Sequence, residues 1–208
     1  MRAFAELLDV LDTTRSAAAK LAAMARFLVL AAPADASWAT YILCRRDLTA
    51  FVTPMQLRSW LGEAAALPRW LIDETLTDIA DLSESIALLT ASTTGPETPG
   101  AHVDANLSTW LEDRLPMLRA LTESGRRARI TAWWRMLPYR ECVLLNRLLI
   151  GELRADVSEA QVVRAVSEAT SRSGTAIADL LTGPWQPSEA FWCRLQSQES
   201  DRAGGERS

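Results

Sequence analysis

Apolar residues recur at helical spacing along nearly the whole chain. Phe4, Leu7, Leu8 and Leu11 make a first stripe. Ala18, Leu21, Ala22, Ala25, Leu28 and Val29 make a second, which Pro33 should end by removing a backbone donor. Trp38 to Cys44 continues as a short helix running into Arg45 and Arg46, cations suited to a helix carbonyl end. Further helices are expected at about 53–66, 69–80, 82–91, 104–122, 126–137, 139–150, 158–170, 174–182 and 187–196, with Pro116 kinking the fourth of these. Period-2 alternation is almost absent, so no strand pattern competes.

Ser92 to Gly100 holds two prolines and two glycines among polar residues and reads as a linker. The pattern therefore predicts an all-α, two-lobed multi-helix array over 1–196, with lobes at about 1–91 and 104–196 joined by 92–103. Residues 197–208 are polar, lack an apolar stripe and are expected to be disordered.

One stretch occurs twice. Leu43 to Thr53 aligns with Leu148 to Ser158 at an offset of 105 (158 − 53), and the likeness continues with Gln56 over Gln161 and Leu61 over Val166. This suggests an internal pseudo-two-fold repeat. Thr53 and Ser158 are N-cap candidates, and Gln56 and Gln161, three residues on, complete a capping box in each. Pro54 suits a first helical position. Capping alone accounts for both hydroxyls. The further reading is that free amides at two helix starts, flanked by arginines, hold two phosphate stretches of one duplex.

Composition sharpens the picture by exclusion. Of 208 residues, 49% are hydrophobic and 23% charged, as in ordinary globular chains. No apolar run approaches the ~18 residues of a membrane span. Glu6 and Asp9 interrupt any signal-peptide core, so a cytoplasmic location with no membrane partner is expected. Cys44, Cys142 and Cys193 are odd in number and far apart, which signals neither zinc nor a disulfide framework; buried or half-buried thiols are expected. The formal net charge of −4 gives no global positive field, so nucleic-acid contact must use local arginine clusters and helix starts. The eight tryptophans, Trp133 and Trp134 among them, read as core and lobe-interface residues rather than base-stacking platforms.

Several segments, in order, resemble bacterial ATP-dependent DNA ligases. Trp38-Ala-Thr-Tyr-Ile-Leu-Cys-Arg-Arg46 resembles W-A-x-Y-F-L-x-G-R-R. Leu67-Pro-Arg-Trp70, Asp81 to Leu89, Asn146 to Arg154, the helix from Ser158, and Leu181-Thr-Gly-Pro-Trp185 through Phe191 resemble L-P-x-W-L, G-D-L-A-E-T-I-A-L-L, N-K-L-I-T-G-G-F-R, V-S-x-x-L-V-V-R-A-L and M-G-x-W-x-P-T-x-x-F. The similarity runs over about residues 1–195 and is to the family's N-terminal DNA-binding domain.

That resemblance implies an all-helical two-lobed fold lying along the minor groove on both sides of a nick. It implies that Gly151, Arg154 and Ser158 sit at the duplex, with Arg45, Arg46 and Thr53 doing the equivalent work in the other lobe. Gly151 would permit close backbone approach to the DNA. Two departures stand out: Asp156 replaces the glycine of R-x-G, setting a carboxylate beside a phosphate and threatening a turn, and Ala80 replaces the glycine before D-L-A-E.

Ligation in that family needs the lysine of K-x-D-G, which becomes covalently bound to AMP. Lys20 is the only lysine, is followed by Leu-Ala-Ala, and reads as a solvated surface lysine. His102 lies in the linker and reads as solvated. No catalytic and no metal-ligating residue is expected. ATP and magnesium are expected only with a catalytic core, whose nucleotidyltransferase and OB domains are expected to be absent from this chain. The expected partners are duplex DNA with a nick and a separately encoded ligase core. A fragment, a split subunit and a decayed gene product all fit; the alternative function is a helical protein-interaction scaffold without DNA binding.

Overall fold

The computed structural model describes residues 1–65, 81–93 and 105–197. The helix expected at 69–80, Leu67 to Trp70, Ala80, most of the linker with His102, and the tail from 198 lie outside the described residues. Among the described residues the fold is all-helical, without a strand. The longer helices among the described residues are α1 (Arg2–Thr13), α2 (Ala17–Leu30), α3 (Pro33–Leu43), α4 (Pro54–Ala65), α5 (Leu82–Thr93), α6 (Glu123–Met136), α7 (Tyr139–Ile150), α8 (Glu159–Thr170), α9 (Gly174–Thr182) and α10 (Glu189–Gln196). None is long and apolar enough to cross a membrane.

Local chemistry sets most boundaries. Ser16, Thr122, Ser158, Ser173 and Ser188 each accept a hydrogen bond from an amide of the following turn. Pro33 stops α2 and opens α3, because its missing N–H is no loss at a first helical position. The helix expected from Trp38 therefore begins five residues earlier. Between Leu107 and Ala120 the expected single helix is broken into three: a turn at Leu107–Thr109, a π turn at Trp110–Arg114 and a 3-10 turn at Pro116–Ala120. Leu115 donates to Trp110 O at 2.9 Å, five residues back, and Pro116 has no amide with which to continue the ladder.

The chain forms two compact units that do not follow sequential halves split at a linker. Unit 1 is Met1–Ala5 with Asp47–Leu153; unit 2 is Glu6–Arg46 with Arg154–Ser208. The chain thus passes between units inside α1, at 46/47 and at 153/154.

Unit 1 packs α5 on α7, with α4 and α6 against α5. A hydrogen-bonded polar cluster lies between α5, α6 and α7. Buried Asn146 accepts from Trp134 Nε1 at 2.7 Å and donates to Ser83 O at 3.3 Å. Asp81 caps α5 through Ser83 N at 2.7 Å and pairs with Arg147 at 2.8 Å, while Glu84 takes the same guanidinium at 3.2 Å. Burial pushes the Asp81 carboxyl up, but Arg147 and the two amides outweigh it, holding it below the usual carboxylate range. The Asp81-Leu-Ser-Glu84 and Asn146-Arg147 segments are thus matched parts of one packing contact.

Unit 2 packs α2 on α8, α3 on α10, and α9 on α8. The buried face of α2 is Lys20, Met24 and Leu28. This corrects the expected stripe: Ala18, Ala22 and Val29 are exposed, and Val29 is 63% exposed. It also corrects Lys20, which is buried, its alkyl stem lying in line with Met24 and Leu28. Of the tryptophans, Trp60, Trp110, Trp133, Trp134, Trp185 and Trp192 are core residues, and Trp38 is half-buried. Of the thiols, Cys142 is buried and Cys44 half-buried as expected, but Cys193 is exposed.

Candidate nucleic-acid interface

The two stretches that resemble each other contain the passages at 46/47 and 153/154. α3 ends with Arg45 in the left-handed region (φ 55°) and Arg46 N–H donating to Tyr41 O; α7 ends with Gly151 (φ 71°) and Glu152 N–H donating to Arg147 O. Both are six-to-one closures on a left-handed residue. After the next loop, Thr53 and Gln56 bond reciprocally at 2.9 and 3.2 Å, as Ser158 and Gln161 do at 2.8 and 3.3 Å. Both capping boxes read from the sequence are present. The helix ends lie 106 apart (151 − 45) and the caps 105 apart, so one loop is a residue longer.

The structure gives Gly151 an internal reason. A Cβ there would stand 2.9 Å from Leu48 O and 3.2 Å from Ala50 N, both backbone atoms of unit 1. That neighbouring strand of chain is pinned by Phe51 and Val52 amides donating to Leu149 O at 2.8 and 3.2 Å. The close approach that glycine allows is to the chain itself.

Arg46 also works inside its unit. Its guanidinium donates to the Leu181 and Gly183 carbonyls at the end of α9 and lies 6.0 Å from the Trp185 ring centroid. Arg45 Nη2 donates to Ala155 O at 3.3 Å and Val157 O at 3.2 Å, though the residue as a whole remains exposed. Arg154 is exposed, with no partner among the described residues.

Unit 2 carries a groove of about 610 Å³ into which the starts of α2 and α8 both open. Arg15, Lys20 and Arg45 line it with Asp156, Glu159 and the cap Ser158. Lys20 Nζ donates to Asp156 Oδ2 and to Asp156 O, each at 2.7 Å. Val157 N–H donates to Ala155 O at 2.9 Å, closing a three-residue turn around Asp156. Three successive carbonyls, 155 to 157, are thus held by two cations. The turn needs no glycine at 156, because Asp156 is not among the residues of positive φ. The hydrogen bond and charge of Lys20 hold the Asp156 carboxyl below the usual carboxylate range. Cys44 lies at the groove wall; burial first, then Glu159, push its thiol up to about 12, against Arg46.

Of the six residues singled out from the sequence, Arg45 and Ser158 meet at this groove. Arg154 and Arg46 lie elsewhere in unit 2, and Thr53 and Gly151 lie in unit 1. Arg15, Lys20 and the start of α2 were missed. Ser16 just ahead of an alanine-rich run was a readable N-cap signal; the burial of Lys20 had none.

No curated protein matches the chain significantly. The family model described as DNA ligase N terminus matches residues 1–167, about four-fifths of the 208-residue chain. The chain belongs to the DNA ligase N-terminus family.

Proposed function

We infer that the chain is the DNA-binding region of an ATP-dependent DNA ligase, gripping nicked duplex DNA by backbone and minor-groove contacts. The joining would serve repair, recombination or replication in the cytoplasm, with the adenylated lysine supplied by a ligase core. The groove of unit 2 carries this reading: two helix starts open on it and Arg15, Lys20 and Arg45 line it, in a chain whose net charge is −4. Amides and dipoles at helix starts favour phosphate, and such contacts position a protein without reading sequence. Ser158 and Thr53 are exposed caps, and Arg154 is a free guanidinium among the described residues; these with Arg45 and Arg15 are the proposed backbone contacts. Arg46 and Gly151 contribute through the fold.

The test is fluorescence anisotropy with labelled nicked and intact duplexes across a salt series. Binding should be independent of sequence, with a log–log slope of roughly −0.9 per phosphate contact. Arg154→Ala and Arg15→Ala should each flatten the slope by about one contact. Absence of any complex at low salt refutes the reading. A protein-docking role has one observation in its favour, the exposed Val29 and Leu30 ending α2. Serine at both positions should leave duplex affinity unchanged, which separates the two roles.

A further inference from the structure

Lys20, the single lysine of the chain, retains 6% exposure. An ammonium so far from water needs an anion beside it. Its partner is Asp156, and the two are unequal: the lysine side chain is 7% exposed and the aspartate side chain 86%. The carboxylate therefore covers the ammonium from outside, open to water except where it meets Nζ. The backbone of the turn is held separately, by Arg45 on the 155 and 157 carbonyls and by Nζ on the 156 carbonyl. Removing the carboxylate leaves those bonds in place and opens Nζ to the groove.

We propose that Lys20 is an anion-binding lysine kept occupied by the carboxylate of Asp156, and that a phosphate of duplex DNA takes the carboxylate's place. The source of the phosphate rests on the DNA-binding reading; the anion site rests on the groove alone. Arg15 and Arg45 face the same groove as further cations, and Glu159 as a second carboxylate. Three cations thus face two carboxylates, and exchanging Asp156 for a phosphate keeps the ammonium paired. A phosphate also offers more acceptor oxygens than a carboxylate to the Arg45 guanidinium and to amides at the two helix starts. In this arrangement the protein carries its own competitor: the ammonium stays ordered and paired until DNA arrives, at the expense of affinity.

Lysine labelled with ¹³C at Cε gives one side-chain signal, because the chain has one lysine. Inorganic phosphate is titrated at constant ionic strength into the wild type, Asp156→Asn and Asp156→Gly, each checked for cooperative melting. The signal should shift saturably in the variants at about tenfold lower phosphate than in the wild type. Asp156→Asn should bind nicked duplex about three- to tenfold tighter at low salt, with a slope steeper by about 0.9, and adding Lys20→Met should remove both gains. A wild-type signal that stays fixed up to the highest phosphate overturns the proposal whatever the variants do. Equal or weaker duplex binding by folded Asp156→Asn overturns the competition. Duplex binding without a phosphate response at Lys20 sinks the anion site and leaves the DNA reading standing; a phosphate response without duplex binding does the reverse.

Discussion

Replacing Gly151 by alanine distinguishes a glycine required by the fold from one required at the DNA. The backbone at 151 has φ 71°, a conformation that costs an L-residue about 1–2 kcal/mol. The added Cβ would also meet Leu48 O at 2.9 Å and Ala50 N at 3.2 Å. Neither atom ends a flexible side chain, and the segment bearing them is tied to Leu149 O by two amides, so relief must move pinned backbone. Overpacking of that kind costs about 1–3 kcal/mol. The sum, roughly 2–5 kcal/mol, lowers the melting temperature by roughly 4–20 °C at the ~2–4 °C per kcal/mol of a domain this size. Calorimetry reads the shift, and the anisotropy titration, run well below the transition, reads duplex affinity. The expected result is a large thermal loss with affinity changed less than about twofold. Unchanged melting with affinity lost tenfold would refute the structural assignment and return Gly151 to the DNA surface.

Ser158→Ala should destabilise unit 2 by about 1 kcal/mol, as loss of an N-cap does, and Ser158→Gly by a few tenths, measurable by urea titration. The carboxyl of Asp81 is held below its unfolded value, so its contribution to stability is complete at neutral pH and is lost as pH falls from about 4 through the folded value. Asp81→Asn should therefore flatten the acid limb of a stability–pH curve; an unaltered limb would remove Arg147 as the cause. A thiol reagent at pH 8 should modify one cysteine quickly, the exposed Cys193, because Cys44 and Cys142 are both pushed up to about 12 by burial. A second fast thiol by mass spectrometry would contradict the packing of α3 if it is Cys44 and of α7 if it is Cys142.

Features decided within four residues were legible in the sequence. The capping boxes at Thr53 and Ser158 and the stop at Pro33 need only neighbours along the chain, and each stands as read. The face of α2 was not legible, because alanines on every side of it leave little contrast between stripes and lysine is scored as a charge. In the structure its stem follows the apolar line, and its head meets Asp156, 136 residues away. Arg45 and Gly151 illustrate the same limit. The resemblance implied that both sit at DNA; their contacts with Ala155, Val157 and Leu48, more than a hundred positions distant, are invisible to periodicity. The resemblance of ordered segments identified the family; it did not say which residues within them hold the fold and which face outward.

The interleaving of the two units has a consequence for synthesis. The ribosome has delivered everything unit 1 requires once Leu153 clears the exit tunnel, whereas residues 6–46 of unit 2 must wait for the strand of chain that begins at Arg154. The nascent polypeptide therefore carries α2 with its Met24 and Leu28 face uncovered for over a hundred codons before α8 emerges to sheathe it. That interval is when a chaperone would find this protein.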